Sequence, residues 1–331
     1  MCKTKSINIS IVVPVKNGMD TLERFIKGIQ VQSILKDIEV VIIDSGSNDG
    51  SLEYLEAFEF VKVISIDPKT FNHGATRNFA ITQCQGEFVF MTVQDAWTTD
   101  EHLLKRMLTH FDDIEVMGVC GQQIVPKRDD TNPHEWFRPY SKPKPKVIQF
   151  KDSEEFINLG EKEQFKYCGW DDVIAMYRKT ALQQLPFETV AFGEDMLWAK
   201  AALIKGYRIV YDYRNRVNHY HHEYPDFVYK RTFIVLYFIY KSFGFVRDLS
   251  VPKSEFLKII YRNLKYKVNL KWIIFNWKAR DARHSAFIDF NKALKVSEEN
   301  LDKVYSKVCS NVPQGKSYKK IINTKFKLLK L

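Results

Sequence analysis

The chain has 331 residues, 45% of them hydrophobic and 27% charged, a balance ordinary for a globular protein, so disorder is not the default and one large core or two modest ones can be buried. Its five cysteines, Cys2, Cys84, Cys120, Cys168 and Cys309, are odd in number, widely spaced and free of any CxxC, so neither a disulfide framework nor a zinc site is expected and a reducing cytoplasm fits best. The net charge of +10 is unevenly placed: residues 228–331 hold 23 Lys and Arg against 7 Asp and Glu, and the remainder 27 against 33.

INISIVVPV, near the first residue, predicts a strand whose apolar run is shorter than a cleaved secretion signal requires. A helix near Asp20 to Gln32, the strand IEVVIID, a helix from Ser51, the strand VKVISI, a helix across Ala75 to Cys84 and the strand EFVFMTV follow. This alternation predicts an α/β fold with a mainly parallel sheet flanked by helices. Ligands of such sheets bind beyond the carboxyl ends of the strands, which here carry Pro14 to Asn17, Asp44 to Gly50 and Thr92 to Ala96. Three polar loops are therefore expected to converge on one crevice.

Prolines 126, 133, 139, 143 and 145 rule out regular helix or central strand from Pro126 to Lys146, predicting a long loop over the site. A polar helix near Ser153, the strand DVIAMY and the helix RKTALQQL come next. Gly193 then breaks the chain, Asp195 opens a helix, and Gly206 ends it before the strand YRIVY. Beyond a boundary at Tyr224 to Asp226 the chain turns basic, aromatic and helical. In SEFLKIIYRNLKYKV, Ser254 is a cap, and Phe256, Ile259, Ile260 and Leu264 share a face. The run FIVLYFIY at Phe233 to Tyr240 is bounded by Lys230, Arg231 and Lys241 and is too short to span a bilayer, which takes about 20 apolar residues.

Several side chains carry chemistry. Asp44, ending a buried strand in DSGSNDGS, can accept hydrogen bonds from a base or ribose; the alternative is a turn that caps a helix. In FNHGATRN, Gly74 permits a tight backbone, His73 is a donor or switchable charge, and Arg77 is a planar cation suited to phosphate. Asp95, after an interior apolar strand, is costly unless solvated, paired or on a metal, and its place at a strand end favours a metal or ligand. Glu194 and Asp195 stand at a helix N-terminus, where by sequence alone they read first as capping acids; the same position also favours an ionised carboxylate able to take a proton. His219, His221 and His222 form the only histidine cluster.

In their order between about Ile7 and Tyr224, VVPVKNG, DSGSNDGS, FNHGATRN, TVQDA and FGEDMLWAKAALIKGY resemble family 2 glycosyltransferases, inverting nucleotide-sugar-dependent enzymes of the GT-A, Rossmann-like fold. FNHGATRN with TVQDA is most similar to bacterial rhamnosyltransferases of surface-polysaccharide assembly. The resemblance implies a GT-A domain over residues 1–225, a basic helical region over 226–331, and transfer of a sugar, first choice rhamnose from dTDP-rhamnose, to a lipid-linked or growing glycan. A UDP-linked hexose or aminosugar donor and a non-catalytic glycan-binding scaffold are the alternatives.

The same resemblance places Pro14, Val15, Asn17 and Asp44 at the nucleoside. It places Arg77 at the donor diphosphate beside His73 and Gln94, Asp95 on Mg²⁺ or Mn²⁺ with His219 or His221, and Asp195 as the base supported by Glu194. Thr92 and Gln94 stand where many relatives carry further acids. The basic region is expected to dock on the anionic inner leaflet of the cell membrane, with Trp272 and Trp277 at the interface, or to form a homo-oligomer contact. Without a nucleic-acid motif, no nucleic-acid partner is expected.

Overall fold

The structure is a computed structural model that describes residues 8–128, 130–137, 144–220, 223–249 and 253–311. The chain opens with β1 (Ile9–Val15), α1 (Met19–Gln30), β2 (Ile38–Asp44), α2 (Ser51–Glu56), β3 (Val61–Ser65), α3 (His73–Gln83) and β4 (Phe88–Met91). It continues through α4 (Leu103–Leu108), β5 (Val116–Ile124), β6 (Lys146–Ile148), α5 (Ser153–Ile157), α6 (Glu161–Tyr167), β7 (Ala175–Arg178), α7 (Lys179–Gln184), α8 (Glu194–Ile204) and β8 (Arg208–Asn218). These strands form one sheet in the order β3-β2-β1-β4-β7-β5-β8-β6.

The expected parallel alternation is found in β3, β2, β1 and β4. Further along, β5 and β8 are parallel, whereas β7 runs antiparallel between β4 and β5 and β6 antiparallel to β8, so the sheet is mixed. β2 is buried along its whole length, as a strand covered on both faces must be. On α1, Leu22, Phe25, Ile26 and Ile29 follow helical spacing and enter the core that also takes Ile11 and Val13 of β1. The Pro-rich stretch ends in β6, a three-residue edge strand, where proline neighbours are tolerated.

By internal contacts the chain divides into two units, Met1–Pro126 with Pro139–Tyr220, and Lys127–Arg138 with His221–Leu331. Part of the Pro-rich stretch thus groups with the second unit, where Asn132 Nδ2 donates to Asn276 Oδ1 at 2.7 Å. That unit is built from α9 (Pro225–Phe243), α10 (Lys253–Lys265), α11 (Leu270–Val296) and α12 (Glu298–Asn311). Ala279, Ala282, Ala286, Phe290 and Ala293 of α11 recur at three- and four-residue intervals and are buried. Phe233 and Leu236 of α9 and Leu301 of α12 pack in the same core as Ala286 and Phe290, the small residues letting the helices approach closely.

Trp272, expected at a membrane interface, is buried, with Phe275 edge-on at 5.4 Å. Ile259 and Asn263 are the buried side of α10, while Phe256, Ile260 and Leu264, expected to share a face with Ile259, stay exposed. Among the described residues no helix is long and apolar enough to cross a membrane.

Candidate active site

The three polar loops meet. The Asn17 amide donates to Ser47 Oγ at 2.8 Å and the Asn48 amide to Asn17 Oδ1 at 2.9 Å, holding Asn17 at a positive φ of 48°. Gln94 clasps the same loop, its Oε1 accepting from the Lys16 amide at 2.8 Å and its Nε2 donating to the Lys16 carbonyl at 3.2 Å. Asp44 is buried, and its carboxylate accepts the amides of Gly46 at 2.9 Å and Ser47 at 3.1 Å. These bonds shape the turn that the sequence held as the alternative role for Asp44. Pro14 and Val15 end β1, where the Val15 carbonyl accepts the Ser45 amide at 3.0 Å. His73 opens α3, exposed and edge-on to Phe71 at 5.0 Å.

Arg77, which the resemblance sets at the donor diphosphate, has carboxylate partners. It is buried in the first unit, its Nη1 paired with Glu194 and its Nε 3.4 Å from Asp172 Oδ2. The Tyr177 hydroxyl donates to Asp172 Oδ1 and in turn accepts from Trp170 Nε1 at 2.6 Å. The Asp172 amide donates to Asp195 Oδ2 at 3.2 Å, and the Met196 amide to Asp195 Oδ1 at 2.7 Å. The base candidate is therefore fixed through the backbone of a residue whose side chain Arg77 and Tyr177 hold.

Several carboxylates compete for this one guanidinium. Burial pushes the Asp172 carboxyl up to about 6, against the opposing pull of Arg77 and the Tyr177 hydrogen bond. Withdrawal from water, then the charges of Asp172, Glu194 and Asp171, hold Asp195 well above the usual carboxylate range, with Arg77 opposing. A carboxylate so tuned is a stronger proton acceptor than an exposed one.

A second cluster contains the other candidates. Asp95 lies in a turn beyond β4, and His219, just past β8, reaches it with Nε2 3.5 Å from Asp95 Oδ1. Reciprocal bonds between Trp97 and Asn218, Trp97 N to Asn218 O at 3.0 Å and Asn218 N to Trp97 O at 2.7 Å, bring the two segments together. Gln123 Oε1 meets His219 Nδ1 at 2.6 Å, while Gln123 Nε2 donates to Asp171 Oδ2 at 2.7 Å. One amide on β5 thus links the Asp95 cluster to the strand of residues that seats Asp195. His221 lies outside the described residues, and among those described no group of three or more His, Cys, Asp or Glu is placed to hold a metal.

The sequence reading missed Asp172, Tyr177, Gln123 and the role of the asparagines in FNHGATRN. The pair Asp171-Asp172 stands before an apolar strand, and only the antiparallel pairing of β7 with β4 brings that start beside the carboxyl end of β4. Asn72 Nδ2 donates to the Val190 carbonyl at 2.8 Å, and Asn78 exchanges two bonds with Phe187, at 2.8 and 3.0 Å. A side chain on Gly74 would put its Cβ 2.1 Å from the Glu188 carbonyl oxygen. The motif therefore holds the segment that leads through Gly193, at φ 80°, into α8 and Asp195. Gly74→Ala should destabilise the protein by about 1–3 kcal/mol, measured by urea denaturation, and should lower turnover with it.

The single sheet thus carries converging polar loops at its strand ends and a buried acid cluster. The profile of glycosyl transferase family 2 matches residues 10–184, more than half of the chain, and the protein belongs to that family. The O-antigen chain rhamnosyltransferase RfbN of Salmonella typhimurium is 27% identical over 267 residues, 78% of this chain and 81% of its own. WbaN of Salmonella anatum, also an O-antigen chain rhamnosyltransferase, is 31% identical over 59% of this chain and 60% of its own. Among solved structures, S. aureus TarS 1–349 in complex with UDP superposes with a TM-score of 0.52 at 16% identity, covering 86% of this chain and 92% of that one. The mannosyltransferase PcManGT of Pyrobaculum calidifontis, in complex with GDP-Man and Mn²⁺, gives 0.53 at 17% identity, covering 92% and 85%. These structural likenesses define the fold.

Proposed function

We propose that the protein transfers a sugar with inversion from a nucleotide donor to a lipid-linked or growing bacterial surface glycan, with Asp195 as base. The observation that carries this reading is the seating of Asp195: its carboxylate is fixed by two backbone amides and tuned upward by its neighbours. Asp195 takes the proton of an acceptor hydroxyl as that oxygen attacks the anomeric carbon, and the nucleoside diphosphate leaves from the opposite face. Pro14, Val15, Asn17, Asp44, His73, Gln94 and Asp95 form the donor side. Arg77 fixes Glu194 and Asp172 behind the base. The names of RfbN and WbaN make rhamnose the first sugar to test, as the dTDP-linked donor, with UDP-linked hexoses second.

Asp95 and His219 fit a divalent cation. Gln123 donates to Asp171, so its carbonyl faces His219 and accepts from Nδ1–H, which orients the ring with Nε2 toward the Asp95 carboxylate. An imidazole nitrogen and a carboxylate are ligand types that Mg²⁺ or Mn²⁺ accepts, so Asp95 and His219 would hold the ion, with donor phosphates supplying further oxygens. Such an ion would stabilise charge on the leaving phosphates. Gln123→Leu should weaken Mn²⁺ affinity by about 10–100-fold, read by calorimetry in the presence of donor. The overall reading is tested by a panel of dTDP and UDP sugars assayed with extracted lipid-linked glycan. Absence of Asp195-dependent transfer from every donor would sink it.

A further inference from the structure

Amphipathic helix α10 has an unusual division of its surface. At roughly 100° per residue, Ile259 and Asn263 point to one side, Phe256, Leu257, Ile260, Tyr261 and Leu264 fill an arc of roughly 140° next to it, and Lys258, Arg262 and Lys265 follow on the far flank with one acid, Glu255, 3.7 Å from Lys258 Nζ. The first two are buried. The five apolar residues are instead 38% to 74% exposed, and so are Leu270 at 70% and Ile274 at 47% on the neighbouring start of α11. A contiguous apolar face left in water marks a surface that something covers.

We infer that this arc of α10, with Leu270 and Ile274, is a docking surface for an anionic phospholipid bilayer. Apolar and basic arcs side by side along one helix match the boundary between acyl chains and headgroups, with the apolar arc below and the cations level with phosphate. Lys265 already lies over the Tyr261 ring, 5.4 Å from its centroid, the posture of a cation whose stem runs along apolar surface. Trp277 backs the arc, its ring 4.8 Å from that of Phe256. Charge selects the occupant. A second copy packed on the same face would set Lys258, Arg262 and Lys265 against their own images, whereas an anionic surface neutralises them. The surrounding chain adds to the attraction, since residues 228–331 carry 23 basic against 7 acidic residues.

This inference rests on the proposed lipid-linked acceptor, because docking would concentrate the enzyme on the leaflet that bears it. The test is flotation of the full-length protein with phosphatidylcholine vesicles, with and without phosphatidylglycerol, at low and high salt. The wild type should float with the anionic vesicles alone and release as salt rises. Leu257→Glu/Leu264→Glu and Lys258→Gln/Lys265→Gln should each lower the partition coefficient by about tenfold or more while leaving donor-induced thermal shift intact. Both pairs are exposed, and circular dichroism checks that the variants fold. Unchanged flotation by both variants would overturn the inference. So would a wild type that ignores vesicles but sediments as a dimer, with Leu257→Glu/Leu264→Glu monomeric, which would assign the arc to a second copy. Asp195→Asn separates the two readings, since it should stop transfer and leave flotation unchanged.

Discussion

Asp195→Asn should lower kcat by about 10²–10⁴-fold, the usual contribution of a positioned general base, while donor affinity by calorimetry stays at the wild-type value. Asparagine retains one of the two backbone bonds that seat the side chain and loses the proton-accepting charge. The pH profile supplies a second check. Asp195 must be ionised to act and its carboxyl is held above the usual range, so kcat should rise with pH through a limb displaced upward from that of an exposed aspartate. Asp172→Asn removes the neighbouring charge that contributes to the shift and should move the limb to lower pH. The two carboxyls titrate together, so the limb belongs to the cluster. Stability has the opposite sign. Asp172, its carboxyl raised from 3.8 to about 6 in the folded protein, contributes stability that is fully present below 3.8 and is lost as pH rises from there through about 6. A kcat profile with its acid limb in the ordinary aspartate range would remove Asp195 from the role.

Arg77→Ala should destabilise the protein by about 3–5 kcal/mol, because it leaves Asp172 and Glu194 enclosed without their counter-charge. The partners are both nearly inaccessible, so water does not replace the lost interaction. The measurement discriminates between two roles for this side chain. If Arg77 served chiefly to bind a donor diphosphate, its loss would raise the donor KM and leave the thermal midpoint in place. As the anchor of the acid cluster, its loss should lower the midpoint by several degrees even without donor and cut kcat, because Asp195 loses the neighbour that orients it. Arg77→Lys should rescue only part of the stability, since one ammonium does not reach both carboxylates as a planar fork does.

The strands of the first unit were legible because each is an apolar run bounded by turn residues, and the crevice followed from where the runs end. Asp95 was legible for the same reason, as an acid where hydrocarbon was expected. Arg77 was not, because phosphate and a buried carboxylate ask the same thing of a guanidinium, and only the fold shows that Glu194 is its partner. The bond between Gln123 and His219 joins residues 96 positions apart and left no mark in local pattern. Trp272 shows the converse limit. An aromatic residue beside lysines reads equally as an interfacial anchor or as core, and α11 turns it inward. On α10, periodicity located an apolar stripe, but which part of it meets the protein depends on neighbours far along the chain.

The bonds that join FNHGATRN to the segment leading into Asp195 span 109, 117 and 118 residues. During synthesis, α3 therefore emerges long before any group able to satisfy Asn72, Arg77 or Asn78. A nascent chain that ends before Phe187 has Asp172 to pair with Arg77 but lacks Glu194 and the proposed base Asp195. The acid cluster thus closes late, after β1 to β4 and β7 have been made, and a product truncated there lacks both the residues that complete the cluster and β8, the strand between β5 and β6.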